Sequence, residues 1–201
     1  MKPGMLMVVS GPAGVGKGTL VRELTESREQ VVLSVSATTR MPRPCETDGT
    51  QYWFKDRQEF ESMIRTDQLL EWVEYCGNYY GTPIGYVKDR IAEGKIVILE
   101  IEVEGALRIR EMFPDSVLVF VLPPDIRELE ERLKGRGTET PEVIHRRMVR
   151  SAEEFTFLSQ YDYFVINEDI GPATDALVRI IDAEQMRIAR NPGIVKRFQN
   201  K

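Results

Sequence analysis

Short apolar runs separated by stretches with helical spacing recur along the chain. Met5-Leu6-Met7-Val8-Val9 is the first run, and Leu20-Val21-Arg22-Glu23-Leu24 starts a 3.6-residue pattern that predicts a helix to about Ser27. Residues 31 to 38 are apolar and β-branched and predict one strand. Residues 95 to 100, 116 to 122 and 163 to 167 are continuous apolar runs of strand length, the mark of parallel strands covered on both faces. Helices are predicted over 104 to 112, over 125 to 134 with Gly135 as C-cap, from Thr140 and Pro141 to about Ser159, and over 174 to 190.

Residues 36 to 86 break this alternation. Residues 51 to 54 read as a strand, 57 to 65 as a short helix, 69 to 75 as a strand, and 77 to 81 as a turn leading onward. The expected class is α/β: a parallel sheet flanked by helices, built around a phosphate-binding loop, with an inserted α+β subdomain at 36–86 and a helical insertion at 126–158. The core would comprise 4–35, 87–125 and 159–190, with a polar tail at 191–201 to which no role is assigned.

The joint between the first strand and the first helix reads Gly11-Pro12-Ala13-Gly14-Val15-Gly16-Lys17-Gly18-Thr19. Glycines let backbone N–H groups converge on an anion, the helix directs its positive N-terminus there, and Lys17 adds a mobile charge. The competing reading is a glycine-rich turn with an incidental lysine. The strand before and the helix after favour the phosphate loop. Gly18 stands where the motif has Ser or Thr for a metal, and Thr19 follows one place late.

Composition narrows the options. At 42% hydrophobic and 29% charged residues the chain is globular. No apolar run approaches the roughly 20 residues of a membrane span, and Met1-Lys2-Pro3-Gly4 enters a strand without a signal-peptide pattern, so a cytoplasmic location is expected. Cys45 and Cys76 lack metal spacing. A Ser-His-Asp triad would have to use His145, the sole histidine, whose charged surroundings suit a solvated helix position. A net charge of −5 argues against a nucleic-acid surface. Pro42 and Pro44 hold Arg40 and Arg43 on an extended segment, which suits a phosphate cluster or an ordinary surface pair.

The run Ser34-Val35-Ser36-Ala37-Thr38-Thr39-Arg40-Met41-Pro42-Arg43, with Glu46, Gly49 and Tyr52, then Leu70-Glu71-Trp72 and Gly77-Asn78-Tyr79-Tyr80-Gly81-Thr82, resembles the monophosphate-binding part of guanylate kinases. Glu100-Ile101-Glu102-Val103-Glu104-Gly105 and residues 132 to 140 resemble that family's acidic strand end and its lid, so the resemblance spans about 4 to 184.

The resemblance implies transfer of a phosphoryl group from ATP to GMP with Mg²⁺, within purine nucleotide metabolism. It places Glu71 on guanine N1–H and N2–H₂, Ser36 on O6, Thr82 near the base, and Arg40, Arg43, Tyr52 and Tyr80 on the GMP phosphate. Glu102 stands where relatives commonly have Asp. Glu100, with Thr19, would act on Mg²⁺ through water. Arg132, Arg136 and Arg147 would reach the ATP phosphates, Arg147 bridging to GMP, and Asn167 would lie near the adenine. Lys17, Arg40, Arg136 and Arg147 form the expected catalytic set. Arg146 and Arg150 are expected to be solvated helix charges beside Glu153 and Glu154. ATP, GMP and dGMP are the expected partners, with no nucleic acid or membrane, and the chain would be a monomer or homo-oligomer. The alternatives are a kinase for another monophosphate and a non-catalytic interaction module of the same fold.

Overall fold

Alternating residues of the central strands face two different sets of helices, and this alternation builds the core. In the computed structural model, which describes residues 3–43, 46–75, 77–135 and 140–199, β1 (Met5–Ser10) is buried along its whole length. Met5, Met7 and Val9 join one apolar cluster, while Leu6 and Val8 join the other. β7 (Ile96–Glu100) and β8 (Val117–Leu122) divide in the same way, as buried parallel strands must.

These strands belong to a parallel sheet ordered β2-β7-β1-β8-β9, with β2 (Val31–Leu33) and β9 (Tyr163–Ile166) at the edges. α1 (Lys17–Ser27) and α7 (Ile170–Met186) contribute Leu20, Leu24, Leu177 and Ile181 to one cluster. α3 (Ile84–Ala92) and α4 (Val103–Met112) contribute Val87, Ala106 and Ile109 to the other. The architecture is the expected parallel sheet flanked by helices.

A second sheet is ordered β4-β3-β6-β5, from β3 (Ala37–Thr38), β4 (Trp53–Phe54), β5 (Leu69–Tyr75) and β6 (Asn78–Pro83). α2 (Arg57–Arg65) is capped by Asp56, whose side chain accepts from the Glu59 N–H, and it lays Phe60 on this sheet. The core here is small: Ala37, Phe60 and Leu69 are its buried members. α5 (Ile126–Gly135) and α6 (Pro141–Phe155) form the helical insertion.

Several expectations need correction. The strand expected over 31 to 38 is two strands in two different sheets, because Ser34 pairs its N–H with Ile98 O while Trp53 N–H reaches Ser36 O. The turn expected at 77 to 81 is largely strand, since β6 pairs antiparallel with β5 over Trp72↔Gly81 to Tyr75↔Asn78. The strand expected over 51 to 54 is reduced to Trp53–Phe54. α6 stops at Phe155 and a short 3₁₀ turn follows at Leu158–Gln160. α7 begins at Ile170, earlier than expected, and ends at Met186. α3, and α8 (Pro192–Gln199) in the tail, were not anticipated. Gly135 is the last residue of α5 rather than its cap.

Candidate active site

The phosphate loop sits where β1 ends and α1 begins, and two of its glycines are fixed by their neighbours. A Cβ on Gly11 would lie 2.4 Å from the Val121 carbonyl oxygen, and one on Gly16, at φ 91°, would lie 2.5 Å from Asn167 Nδ2. Any side chain there would push the loop off β8 or off Asn167. The buried Asn167 amide in turn donates to Val15 O at 2.8 Å, and Arg132 Nη1 donates to Asn167 O at 2.9 Å. Lys17 Nζ is tethered to the loop itself, donating to Gly11 O at 2.5 Å and Pro12 O at 3.0 Å. The first N–H groups of α1 together with this ammonium make an anion site from backbone and one cation.

Glu100 ends β7 directly beside β1, paired in register with Val9. A Cβ on Gly18 would lie 3.5 Å from both Glu100 carboxylate oxygens, so that carboxylate rests against the first turn of α1. Burial raises the Glu100 pKa, Lys17 lowers it and Glu102 raises it. One carboxylate and the exposed Thr19 hydroxyl are a sparse, oxygen-only set. Among the described residues no group of three or more His, Cys, Asp or Glu is placed to hold a metal ion. Such a set fits Mg²⁺, which keeps most of its water and binds chiefly to phosphates.

Ser34, Ser36, Tyr52, Thr82 and Glu100 line a cleft of about 140 Å³ between the two sheets. At its wall the Thr82 hydroxyl donates to Glu71 Oε1 at 2.7 Å. Burial raises the Glu71 pKa, while the Thr82 hydrogen bond and the Arg108 charge oppose it. Nearby, Arg40 Nη2 donates to Glu46 Oε1 at 2.8 Å and Nη1 to Met41 O at 2.8 Å, with its guanidinium 5.4 Å from the Tyr52 ring centre. Tyr52 meets Tyr80 edge-on at 6.0 Å. The second oxygen of Glu46 accepts from the Arg43 N–H at 2.7 Å, so one carboxylate organises both arginine positions. Arg40 holds the Glu46 pKa below the ordinary carboxylate value, with the Arg43 N–H adding to the effect.

A larger cleft of about 920 Å³ lies between the phosphate loop, the second sheet and α6. Ala13, Tyr80, Glu102, Arg146, Arg147, Arg150 and Glu154 line it. It brings together the parts of the chain that were expected to act on donor and acceptor.

These features have counterparts in known proteins. The family model described as guanylate kinase matches residues 4–184. A guanylate kinase of Desulfitobacterium hafniense is 52% identical over 189 residues, covering 94% of each chain. One of Halalkalibacterium halodurans is 52% identical, covering 93% of this chain and 92% of its own. The crystal structure of guanylate kinase from Anaplasma phagocytophilum superposes with a TM-score of 0.72 at 32% identity, covering 94% of this chain and 90% of that one.

This chain belongs to the guanylate kinase family. Guanylate kinases are nucleoside monophosphate kinases, which are phosphotransferases, and kinship of this extent supports guanylate kinase function over the two alternatives.

Within this guanylate kinase fold the sequence-predicted residues fall into distinct groups. Gly11 to Thr19, Glu100, Ser36, Tyr52, Tyr80, Thr82, Glu102 and Arg147 belong to the loop and the two adjoining clefts, and Glu71 joins them through Thr82. Arg40 joins them through Tyr52, whereas Arg43 is exposed. Arg132 uses its donors on Glu128 and on the Asn167 and Glu168 carbonyls, at the end of β9. Arg136 lies outside the described residues. Arg146 and Arg150 are exposed, as expected of solvated helix charges, and border the large cleft, whereas Glu154 is only 6% exposed. Positions 146, 150 and 154 are each four apart and form one stripe of the helix, along which Arg150 Nε donates to Glu154 Oε1 at 3.5 Å. Among the described residues no helix is long and apolar enough to cross a membrane.

Proposed function

We propose that this chain transfers the γ-phosphoryl group of ATP to the phosphate of GMP, giving ADP and GDP, in cytoplasmic purine nucleotide metabolism. The observation that carries this reading is Glu71, half-buried and hydrogen-bonded by Thr82, which lines the small cleft. A carboxylate has about four acceptor positions, so Oε1 remains able to accept again and Oε2 is uncommitted in this pair. Guanine offers two adjacent donors, N1–H and N2–H₂, to such a group, and Ser36 in the same cleft can donate to O6. Adenine lacks that donor pair and would leave the remaining acceptor positions of the carboxylate unmatched, a mismatch that sites of this type reject by roughly 10⁴-fold. dGMP carries the same base and would be read equally.

The incoming nucleophile is already an anion, so no strong base is required. The chain's work is positioning and charge compensation. The loop N–H groups and Lys17 hold the donor phosphates, with Lys17 leaving the Gly11 and Pro12 carbonyls to do so. Arg40, with Arg43, Tyr52 and Tyr80, holds the acceptor phosphate. Arg147, with Arg136 and Arg132, neutralises charge from the α5–α6 side. Asn167 keeps the loop in shape and borders the adenine. Thr19 and Glu100 would hold Mg²⁺ through water, and the bound ion would neutralise charge on the donor phosphates. Residues 36–86 and 126–158 act as acceptor and lid segments that close and exclude water.

A coupled assay for ADP with ATP and Mg²⁺, offering GMP, AMP, UMP and CMP separately, tests this. Turnover with GMP alone is expected, and Lys17→Ala should reduce kcat by roughly 10²-fold to 10³-fold, the loss typical of removing one donor to developing charge. Turnover with another monophosphate in preference to GMP would overturn the reading.

A further inference from the structure

Two serines reach the small cleft from the segment that passes between the sheets. Ser34 follows β2, and its N–H donates to Ile98 O at 2.9 Å, which fixes it to the main sheet. Ser36 precedes β3, and its carbonyl accepts from the Trp53 N–H at 2.8 Å, which fixes it to the second sheet. Both line the cleft together with Thr82 and Glu100. The Thr82 hydroxyl is already donated to Glu71. The Ser34 hydroxyl is not committed in this way: its oxygen is shielded from solvent and has no hydrogen-bond partner among the described residues, although the Glu100 carboxylate lines the same cleft. The large majority of shielded polar groups in native proteins are bonded, so one left over in the wall of a cleft calls for a partner on whatever fills it.

We propose that Ser34 is a specificity residue of the acceptor site, its hydroxyl donating to N7 of guanine while Ser36 serves O6. The proposal rests on the reading of the chain as a GMP kinase. Guanine presents N7 and O6 as neighbouring acceptors on one edge. A hydroxyl has a single hydrogen to donate, so Ser36 alone can match only one of the two. With Ser34 on the other, both acceptors of the base meet donors of the protein, and its two donors meet Glu71. Adenine also carries N7, so Ser34 does not by itself choose between the purines. It holds a purine in the register at which Glu71 and Ser36 choose, and a pyrimidine, which has no N7, loses the contact.

The test pairs one substitution in the protein with one atom of the substrate. Steady-state kinetics on the full chain compare the parent with Ser34→Ala, each offered GMP and 7-deaza-GMP, in which a C–H replaces N7. Ser34→Ala removes a hydroxyl bonded to no described residue, so the variant should fold with an unfolding midpoint no lower than that of the parent. In the parent, KM should be roughly fivefold higher for 7-deaza-GMP than for GMP, the scale of one neutral hydrogen bond. Ser34→Ala should raise KM for GMP by about the same factor and leave KM for ATP within about twofold of the parent, because the donor loop is untouched. With 7-deaza-GMP the variant should match the parent to within about twofold, since the partner atom is already missing.

Equal use of GMP and 7-deaza-GMP by the parent, an unchanged KM for GMP in Ser34→Ala, or losses that multiply when substitution and analogue are combined would each overturn the proposal. A parent enzyme without GMP turnover would instead sink the kinase reading, so the two failures are distinguishable.

Discussion

The phosphate loop and the acceptor cleft achieve rigidity by different means. The loop is made of backbone wedged against the main sheet: Gly11 is pressed to Val121, Gly16 to Asn167, and Asn167 is bonded back to Val15. The cleft proposed for the acceptor is made of side chains that hold one another, Glu71 by Thr82 and Arg40 by Glu46, beside a small apolar cluster whose buried members are Ala37, Phe60 and Leu69. A backbone cradle recognises any polyphosphate, so choice of the acceptor base must reside in the side-chain half. That half is also the easier one to perturb without losing the fold.

The largest expected effect separates the two regions by stability. Phe60 is fully buried and stacks on Tyr79 at 5.3 Å, so Phe60→Ala should remove about 3 to 5 kcal/mol from the packing of the second sheet. Hydrogen exchange should then quicken in β5 and β6 while β1 and β8 stay protected, with GMP binding lost before ATP binding. Uniform quickening across both sheets would mean that the two regions form one cooperative unit.

The next effect, of up to about 2 kcal/mol, concerns pH. Glu154 has its pKa raised from the ordinary 4.5 to about 6, chiefly by burial. Between these values the folded protein retains a proton that the unfolded chain has released, so raising the pH through this window lowers stability. Glu154→Gln lacks this loss. Its unfolding free energy should match the parent near pH 4 and exceed it by up to about 2 kcal/mol at pH 7.5. A parent that is equally stable or more stable than the variant at pH 7.5 would contradict the burial argument.

A smaller effect is expected at the Arg40–Glu46 pair, where each side chain is 17% exposed. Glu46→Gln weakens the hold on Arg40 and should raise KM for GMP by roughly twofold to fivefold, with KM for ATP unchanged. A change in KM for ATP would show that this pair serves the donor side as well.

The same contrast explains what could be read from the chain alone. The loop was legible because strand, turn and helix are consecutive, and local spacing specifies them. The second sheet was not, because its pairings are set by contacts between distant segments. Nothing in the apolar run 31 to 38 records that Ser34 to Ser36 carry the chain from one sheet to another. Gly77 does sit in a turn, but residues 78 to 81 pair with β5 despite the turn-forming Asn78 and Gly81, since burying Gly81 against Trp72 and Phe60 outweighs local preference. The residues proposed for the acceptor were named by resemblance, but their mutual bonds were not legible in the sequence. Arg146 and Arg150 are exposed as expected, but the burial of Glu154 was not legible, because charges four apart look the same whether or not the last of them is buried.

The central claim is that Glu71 sets base choice, and Glu71→Gln tests it most directly. The amide places a donor opposite guanine's donors while keeping the size and most of the packing of the site. Steady-state kinetics with GMP and ATP should show KM for GMP raised by roughly tenfold to a hundredfold, the range for hydrogen bonds to a charged group, and KM for ATP unchanged. An unaltered KM for GMP would contradict the account, whatever the other variants do.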